Sequence, residues 1–101
     1  MTNPIDVKAE EAKLSLVVIE VEEEVKRARA LHGSMHSAHE GYAVLLEEID
    51  ELWAEIKQNP KKLSFDGQER LKRKIRTEAV QVAAMAVRFI LDVCEKNDAD
   101  P

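Results

Sequence analysis

The chain has 101 residues, which is the size of one domain (1–101), and its formal net charge is −5. Fifteen basic residues against twenty acidic ones argue against binding to the backbone of nucleic acids or to an anionic membrane. With 4% aromatic residues, three glycines and three prolines, the composition disfavours a β-rich fold and predicts an all-α protein.

The cysteine content and the apolar stretches restrict the possible locations of the chain. A single cysteine, Cys94, excludes an internal disulfide and a CxxC metal site. The first residues lack the basic and then apolar pattern of a secretory signal. The longest apolar stretch, residues 79–91, is shorter than the roughly 20 residues that span a bilayer. We therefore expect a cytoplasmic protein with no membrane partner.

The first predicted helix covers about residues 4–31, from an N-cap at Asn3 to a stop at Gly33. Seven apolar residues follow one of its faces at helical spacing: Val7, Leu14, Val17, Val18, Val21, Val25 and Ala28. Leu16 and Ile19 lie off this face, so we expect the helix to bury a second strip against another surface.

The second predicted helix covers about residues 35–58 and ends before Pro60, because proline disfavours helix at the preceding residue. Its apolar face comprises Met35, Ala38, Tyr42, Leu45, Leu46, Ile49, Leu52, Trp53 and Ile56. We expect Tyr42 and Trp53 to lie in the core. The alternative is that they form a wall on which a base stacks at a subunit contact.

The third predicted helix covers about residues 67–96 and starts at a capping box formed by Asp66 and Glu69. From Ala79 to Val93 its apolar side chains go most of the way round the helix. Such a helix must be covered on more than one side, and one small chain supplies too few neighbours. We therefore expect an antiparallel bundle of three main helices that is completed by homo-oligomerisation, as a homodimer or a homotetramer.

The second helix carries several glutamates on one side. One arc of this helix holds Glu40, Glu47, Glu51 and Glu55, with Glu48 at its edge. A solvated acidic face is the ordinary interpretation of such a run. The third helix favours a different one, because Glu78 lies in the apolar stripe and a buried carboxylate needs a partner.

Three partners for Glu78 are possible. Lys74, one turn earlier, would make the chain a plain helical interaction protein with an ordinary salt bridge. The carboxyl group can also be protonated, or it can share a metal with the acids of the second helix. Hard divalent ions such as Mg²⁺ or Mn²⁺ prefer ligand sets made entirely of oxygen atoms.

The pattern Glu47-Glu48-x-x-Glu51, a loop and then Glu78 on an Ala- and Val-rich helix resembles the MazG-like, all-α nucleoside triphosphate pyrophosphohydrolases. The resemblance covers about residues 34–93. That family carries an ExxE motif on one helix and an ExxD motif on the next, which together bind Mg²⁺. The resemblance implies hydrolysis of a (d)NTP to (d)NMP and pyrophosphate, which cleans nucleotide pools. It also implies that Glu48 and Glu51 are metal ligands and that Glu78 opens the second motif.

Gln81 stands where the family pattern has Asp. A glutamine carbonyl can bind a hard cation but brings no charge, so the site would bind Mg²⁺ less tightly or use one ion fewer. Glu47 or Glu55 can compensate. The alternative is a catalytically weakened or inactive relative that acts as a nucleotide-binding or structural helical oligomer.

Hydrolysis also needs a base and groups that bind phosphate. A carboxylate near the metal can take the proton of the attacking water, and Glu47 and Glu48 are the candidates. Lys74, Arg88 and His36 are the candidates for substrate binding. The alternatives are that Arg88 pairs with Asp92 at i,i+4 and that His36 is only a residue at the start of a helix.

Overall fold

A computed structural model describes residues 6–95, which form three long α-helices and two short helical segments. The elements are α1 (Val7–His32), α2 (Ala38–Ile56), a 3₁₀ turn (Pro60–Lys62), α3 (Phe65–Phe89) and a π-helical turn (Ile90–Cys94). No strand occurs within residues 6–95, and the predicted all-α class is confirmed. In the same range no helix has both the length and the apolar character needed to cross a membrane.

The two ends of α1 are set by local hydrogen bonds. Its N-cap is Asp6, whose carboxylate accepts the N–H of Ala9 at 3.1 Å, so the helix starts later than the predicted residue 4. The predicted cap at Asn3 lies outside the described residues. The predicted stop at Gly33 is confirmed, because Gly33 adopts φ 71° and donates to Arg29 O at 2.9 Å.

Serine hydroxyls cap the other two long helices. Ser37 accepts the N–H of Glu40 at 3.1 Å, so α2 starts three residues later than predicted. Ser64 accepts the N–H of Gly67 at 3.1 Å, and the predicted cap at Asp66 is therefore wrong. Asp66 lies in the first turn of α3, where its charge interacts favourably with the helix dipole. The predicted end at residue 96 and the tail beyond it lie outside the described residues.

α3 is the central helix and packs against both α1 and α2. The buried apolar residues lie on the C-terminal halves of α1 and α3 and in the connection between α1 and α2 (residues 33–37, the α1–α2 connection). They are Val25, Ala28, Met35, Ala84 and Met85. The core is therefore small and lies towards one end of the molecule.

Several large apolar side chains remain outside this core. Tyr42 is 63% exposed and Trp53 is 57% exposed, so the prediction that they are core residues is wrong for the single chain. Most of the apolar residues in the first half of α1 are also exposed. The physical reason is that α3 covers only one strip of α2, whereas the apolar face of α2 is wider than the surface that one neighbouring helix can cover.

Two charged residues near the end of α3 are buried and hold the α1–α2 connection. Arg88 donates to Gly33 O at 3.0 Å. Asp92 accepts the N–H of Met35 at 3.0 Å and lies 3.0 Å from the guanidinium of Arg29, a close charge contact that is not aligned as a hydrogen bond. The alternative pairing of Arg88 with Asp92 does not form, because each side chain is engaged with α1 or with the connection.

Candidate functional site

Three glutamates from two helices meet where α2 packs against α3. Glu48 and Glu51 lie three residues apart on α2 and are therefore neighbours on its surface. Glu78 on α3 faces them, and each of the three offers one carboxylate oxygen within 4.8 Å of the other two. We call these residues the acidic trio. The trio unites three of the four metal ligands that the sequence predicts.

The chemistry of the acidic trio fits a hard divalent cation. In an octahedral Mg²⁺ site with bonds of about 2.1 Å, opposite ligand oxygens are about 4.2 Å apart. The oxygens of the trio lie within a slightly wider limit of 4.8 Å, so small side-chain rotations would bring them to that spacing. Carboxylate oxygens are also the ligand type that Mg²⁺ and Mn²⁺ prefer.

Gln81, the fourth predicted ligand, lies one turn after Glu78 and contacts the same carboxylates. With its amide nitrogen turned towards the trio, it donates to Glu78 Oε2 at 3.0 Å and to Glu48 Oε2 at 3.3 Å. With the amide turned the other way, the amide oxygen of Gln81 faces the same two carboxylate oxygens. That arrangement suits a cation bound between the three oxygen atoms. An aspartate at this position would lack the first option, because an ionised carboxylate has no hydrogen to donate.

Two of the close carboxyl groups, Glu48 and Glu78, have raised pKa values. The pKa of Glu48 rises to about 7 because the side chain is partly buried, and also because of the charge of Glu51 and a hydrogen bond to it. Glu78 and Glu47 add smaller effects in the same direction. Burial also raises the pKa of Glu78, and the charges of Glu51 and Glu55 add to that rise. The neighbouring groups therefore do not neutralise the charge of the trio.

No basic residue in the described range neutralises the trio by an ion pair. Lys74, the alternative partner of Glu78, has its Nζ 3.2 Å from Glu55 Oε1 instead. Its charge lowers the pKa of Glu78 only as the smallest of the named effects. The salt bridge between Lys74 and Glu78 is therefore not formed, and Glu55 is engaged with lysine outside the trio.

A cavity of about 310 Å³ adjoins the trio and is bounded by all three helices and the α1–α2 connection. We call it the central cavity. Its apolar wall consists of Ala28, Met35, Val44 and Met85. Charged and polar groups surround that wall, and Glu48 and Gln81 line the side shared with the trio. This volume lies at the lower end of the range of small-molecule sites.

The other predicted site residues differ in whether they line the central cavity. Glu47 lines the central cavity but is not part of the trio. Arg88 also lines the cavity, although it is only 4% exposed and donates to Gly33 O and to the sulfur of Met85. Lys74 is not among the lining residues. His36 is exposed beside Glu40, with Nδ1 3.6 Å from Oε2, and it does not line the cavity either.

Sequence reasoning missed the contribution of α1 to the cavity wall. Arg27 and His32 line the cavity, and Arg27 donates to Glu24 through both Nε and Nη2. A glutamate and an arginine three residues apart are common on solvated helix faces, so no local pattern marked this pair. Only the packing of α1 against α3 places it near the trio.

The trio, Gln81 and the cavity together form a site with oxygen ligands at one side and a mixed apolar and charged wall at the other. Three of its four oxygen donors belong to carboxyl groups, and none of the described lysines or arginines pairs with those three. Such a centre can bind a divalent cation that is shared with an anionic ligand. Comparisons of the chain with protein-family models, with curated proteins and with solved structures find no match.

Proposed function

We propose that the chain is a metal-dependent nucleoside triphosphate pyrophosphohydrolase. It would convert a (d)NTP and water to (d)NMP and pyrophosphate and so clean nucleotide pools in the cytoplasm. The observation that carries the proposal is the convergence of Glu48, Glu51 and Glu78 within 4.8 Å, next to a cavity of about 310 Å³. The spacing of these acids, which resembles that of the MazG-like enzymes, adds the reaction type.

The residues of the site have separate roles in the proposed reaction. The trio would hold Mg²⁺ or Mn²⁺, and the oxygen of Gln81 would add a neutral ligand. When bound, such an ion neutralises charge on the phosphate oxygens. Glu47 lines the cavity outside the trio, so its carboxylate is our candidate to take the proton of the attacking water. The water oxygen would form a bond to the α-phosphorus, the bond from that phosphorus to the oxygen that bridges to the β-phosphate would break, and pyrophosphate would leave with the bridging oxygen.

A second candidate function is favoured by the contacts of Gln81. Its amide hydrogen bonds to Glu78 and Glu48 tie the carboxylates together without any cation. In that arrangement the amide stabilises the close carboxylates in place of a metal ion. The chain would then be a catalytically weakened or inactive relative, which acts as a nucleotide-binding or structural helical oligomer.

We further propose that the protein self-associates as a homodimer or a homotetramer. Tyr42 and Trp53 are more than half exposed, and Leu46, Ile49 and Ile56 on the same helix are also exposed. A wide apolar face on a small chain is typical of a subunit contact. Sedimentation velocity measures this directly, and a mass of 11.4 kDa at micromolar concentration would contradict it.

The decisive experiment measures pyrophosphate release from a panel of standard and modified (d)NTPs with Mg²⁺, with Mn²⁺ and with chelator. We expect metal-dependent release, and a loss of about a hundredfold or more in Glu51→Gln, because that change removes a ligand charge. Glu23→Gln is the matched control, since Glu23 is an exposed glutamate of α1 outside the site. Equal turnover in wild type and Glu51→Gln would contradict the mechanism. No turnover from folded wild type would favour the second candidate.

A further inference from the structure

Three side chains that can carry positive charge line the central cavity, and they differ in how their donors are used. Arg88 is buried, both of its terminal nitrogens donate within the protein, and its Nε, which makes no hydrogen bond, is closed off from solvent. His32 lies in the last turn of α1. Arg27 has a side chain that is 55% exposed, so its guanidinium can meet a ligand without a change in packing.

The ion pair of Arg27 fixes the guanidinium but does not use all of it. Glu24 accepts from Nε at 2.8 Å and from Nη2, which occupies one edge of the planar group. The donors of Nη1 and the second hydrogen of Nη2 have no partner among the described residues. Guanidinium groups held in this way are suited to phosphate oxygens, because planar N–H pairs match them in a bidentate geometry.

Arg27 also lies close enough to the trio for their charges to interact. Its hydrogen bonds to Glu24 raise the pKa of Arg27, and the charge of Glu48 contributes to that rise. Arg27 and Glu48 line the same cavity. A ligand that is bound at the trio through a cation would therefore share this cavity with Arg27.

We infer that Arg27 binds the phosphate chain of the ligand held at the acidic trio, whereas the buried Arg88 is a structural residue of the cavity wall. This inference rests on the proposed function, which places a polyphosphate at the trio. Arg27 takes the phosphate-binding role that was predicted for Lys74 from the sequence, because Lys74 is paired with Glu55 and does not line the cavity. Glu24 acts as the positioning residue for the guanidinium.

The test measures binding of inorganic tripolyphosphate in Mg²⁺ by calorimetry to wild type, Arg27→Gln and Arg76→Gln. Arg76 is the matched control, because it also forms a bidentate pair with a glutamate, Glu20, and its side chain is 53% exposed. We expect Arg27→Gln to weaken binding about tenfold to a hundredfold, as loss of a hydrogen bond to a charged group does. Arg76→Gln should stay within about twofold of wild type.

A double variant, Glu24→Gln with Arg27→Gln, separates lost attraction from new repulsion. In the single variant Glu24 loses its partner, and its bare charge could repel phosphate. The double variant removes that charge, so weak binding must persist in it if Arg27 contacts the ligand. Recovery of wild-type affinity would overturn the inference.

The remaining outcomes distinguish this inference from the proposed function. Tight binding that is equal in wild type and Arg27→Gln would overturn the role of Arg27 and leave the metal site intact. No binding of tripolyphosphate to folded wild type in Mg²⁺ would overturn both. Where turnover is measurable, Arg27→Gln should raise KM at least as much as it lowers kcat, since the contact is made before the chemical step.

Discussion

α3, together with the π-helical turn that continues it, carries two clusters of partly or fully buried charge, and the clusters differ in how their charges are paired. Near its end, Arg88 and Asp92 each find partners of suitable charge or polarity within the chain. In its middle, Glu78 meets Glu48 and Glu51, which carry the same charge. We call the first cluster complete, because both of its side chains bond to the α1–α2 connection, although Arg88 Nε and Asp92 Oδ1 make no hydrogen bond. We call the second cluster incomplete, because no lysine or arginine of the described residues forms an ion pair with it. The first cluster holds helices together, and the proposal of a metal site rests on the second.

The largest effect should come from the complete cluster. Asp92→Ala leaves the buried N–H of Met35 without its acceptor and removes the partner of Arg29. We expect the free energy of unfolding to fall by about 2–3 kcal/mol. Urea denaturation measures it, with Asp50→Ala as a control at an exposed aspartate of α2. A loss of stability no larger than in the control would contradict the conclusion that this cluster stabilises the fold.

Metal should stabilise the protein through the incomplete cluster. At a concentration one hundred times its Kd, a cation that binds only the folded state adds about 2.7 kcal/mol, which is several degrees in Tm. We expect Mg²⁺ or Mn²⁺ to raise the Tm of wild type and to have little effect on Glu78→Gln, which lacks one ligand charge. Glu23→Gln should keep the full response. An equal rise in Glu78→Gln would place the cation elsewhere.

The metal-free trio should make stability depend on pH. The pKa of Glu48 is about 7 in the folded protein against 4.5 as its ordinary value, so the folded state binds the proton more tightly. The resulting stabilisation is complete below about pH 4.5 and is lost as the pH rises through about 7. We expect a loss of about 1–2 kcal/mol over that range after allowance for solvent screening.

Denaturation in chelator from pH 4.5 to 8 checks this expectation. Glu48→Gln should flatten the dependence, because the neutral amide does not titrate. Saturating Mn²⁺ should remove or reverse the loss at high pH, since a cation favours the ionised carboxylates. A stability of wild type that rises with pH in chelator would contradict the account of the trio.

The sequence was sufficient for the all-α class and the stop at Gly33, because each depends on composition or local pattern, whereas the choice of Glu48 and Glu51 among the acids came from the resemblance to the MazG-like enzymes. Helical periodicity places Glu48 beside Glu51, and a lone carboxylate in an apolar stripe marks Glu78. The burial of Tyr42 and Trp53 was predicted wrongly, because periodicity shows an apolar face but not whether the same chain covers it.

Long-range contacts account for the other differences. The pairing of Lys74 with Glu55 depends on how α3 is placed along α2, which no local pattern fixes. The presence of Arg27 in the cavity wall depends likewise on the packing of α1. Where two helix positions are equally suitable partners in sequence, only their relative shift along the helix axes decides between them.

The smallest expected change in stability concerns a single group in the incomplete cluster, Gln81. It tests most directly whether that cluster binds a cation. Gln81→Asp replaces an amide that donates to Glu78 and Glu48 with a fourth carboxylate. Without metal the variant should lose about 1 kcal/mol, since it exchanges hydrogen bonds for repulsion at a partly solvated site. With metal the added charge should tighten Mn²⁺ binding about tenfold. Urea denaturation in chelator measures the first change, and titration calorimetry with Mn²⁺ measures the second. If Gln81→Asp binds Mn²⁺ no better than wild type, Gln81 does not face the cation, and the trio alone must define the site.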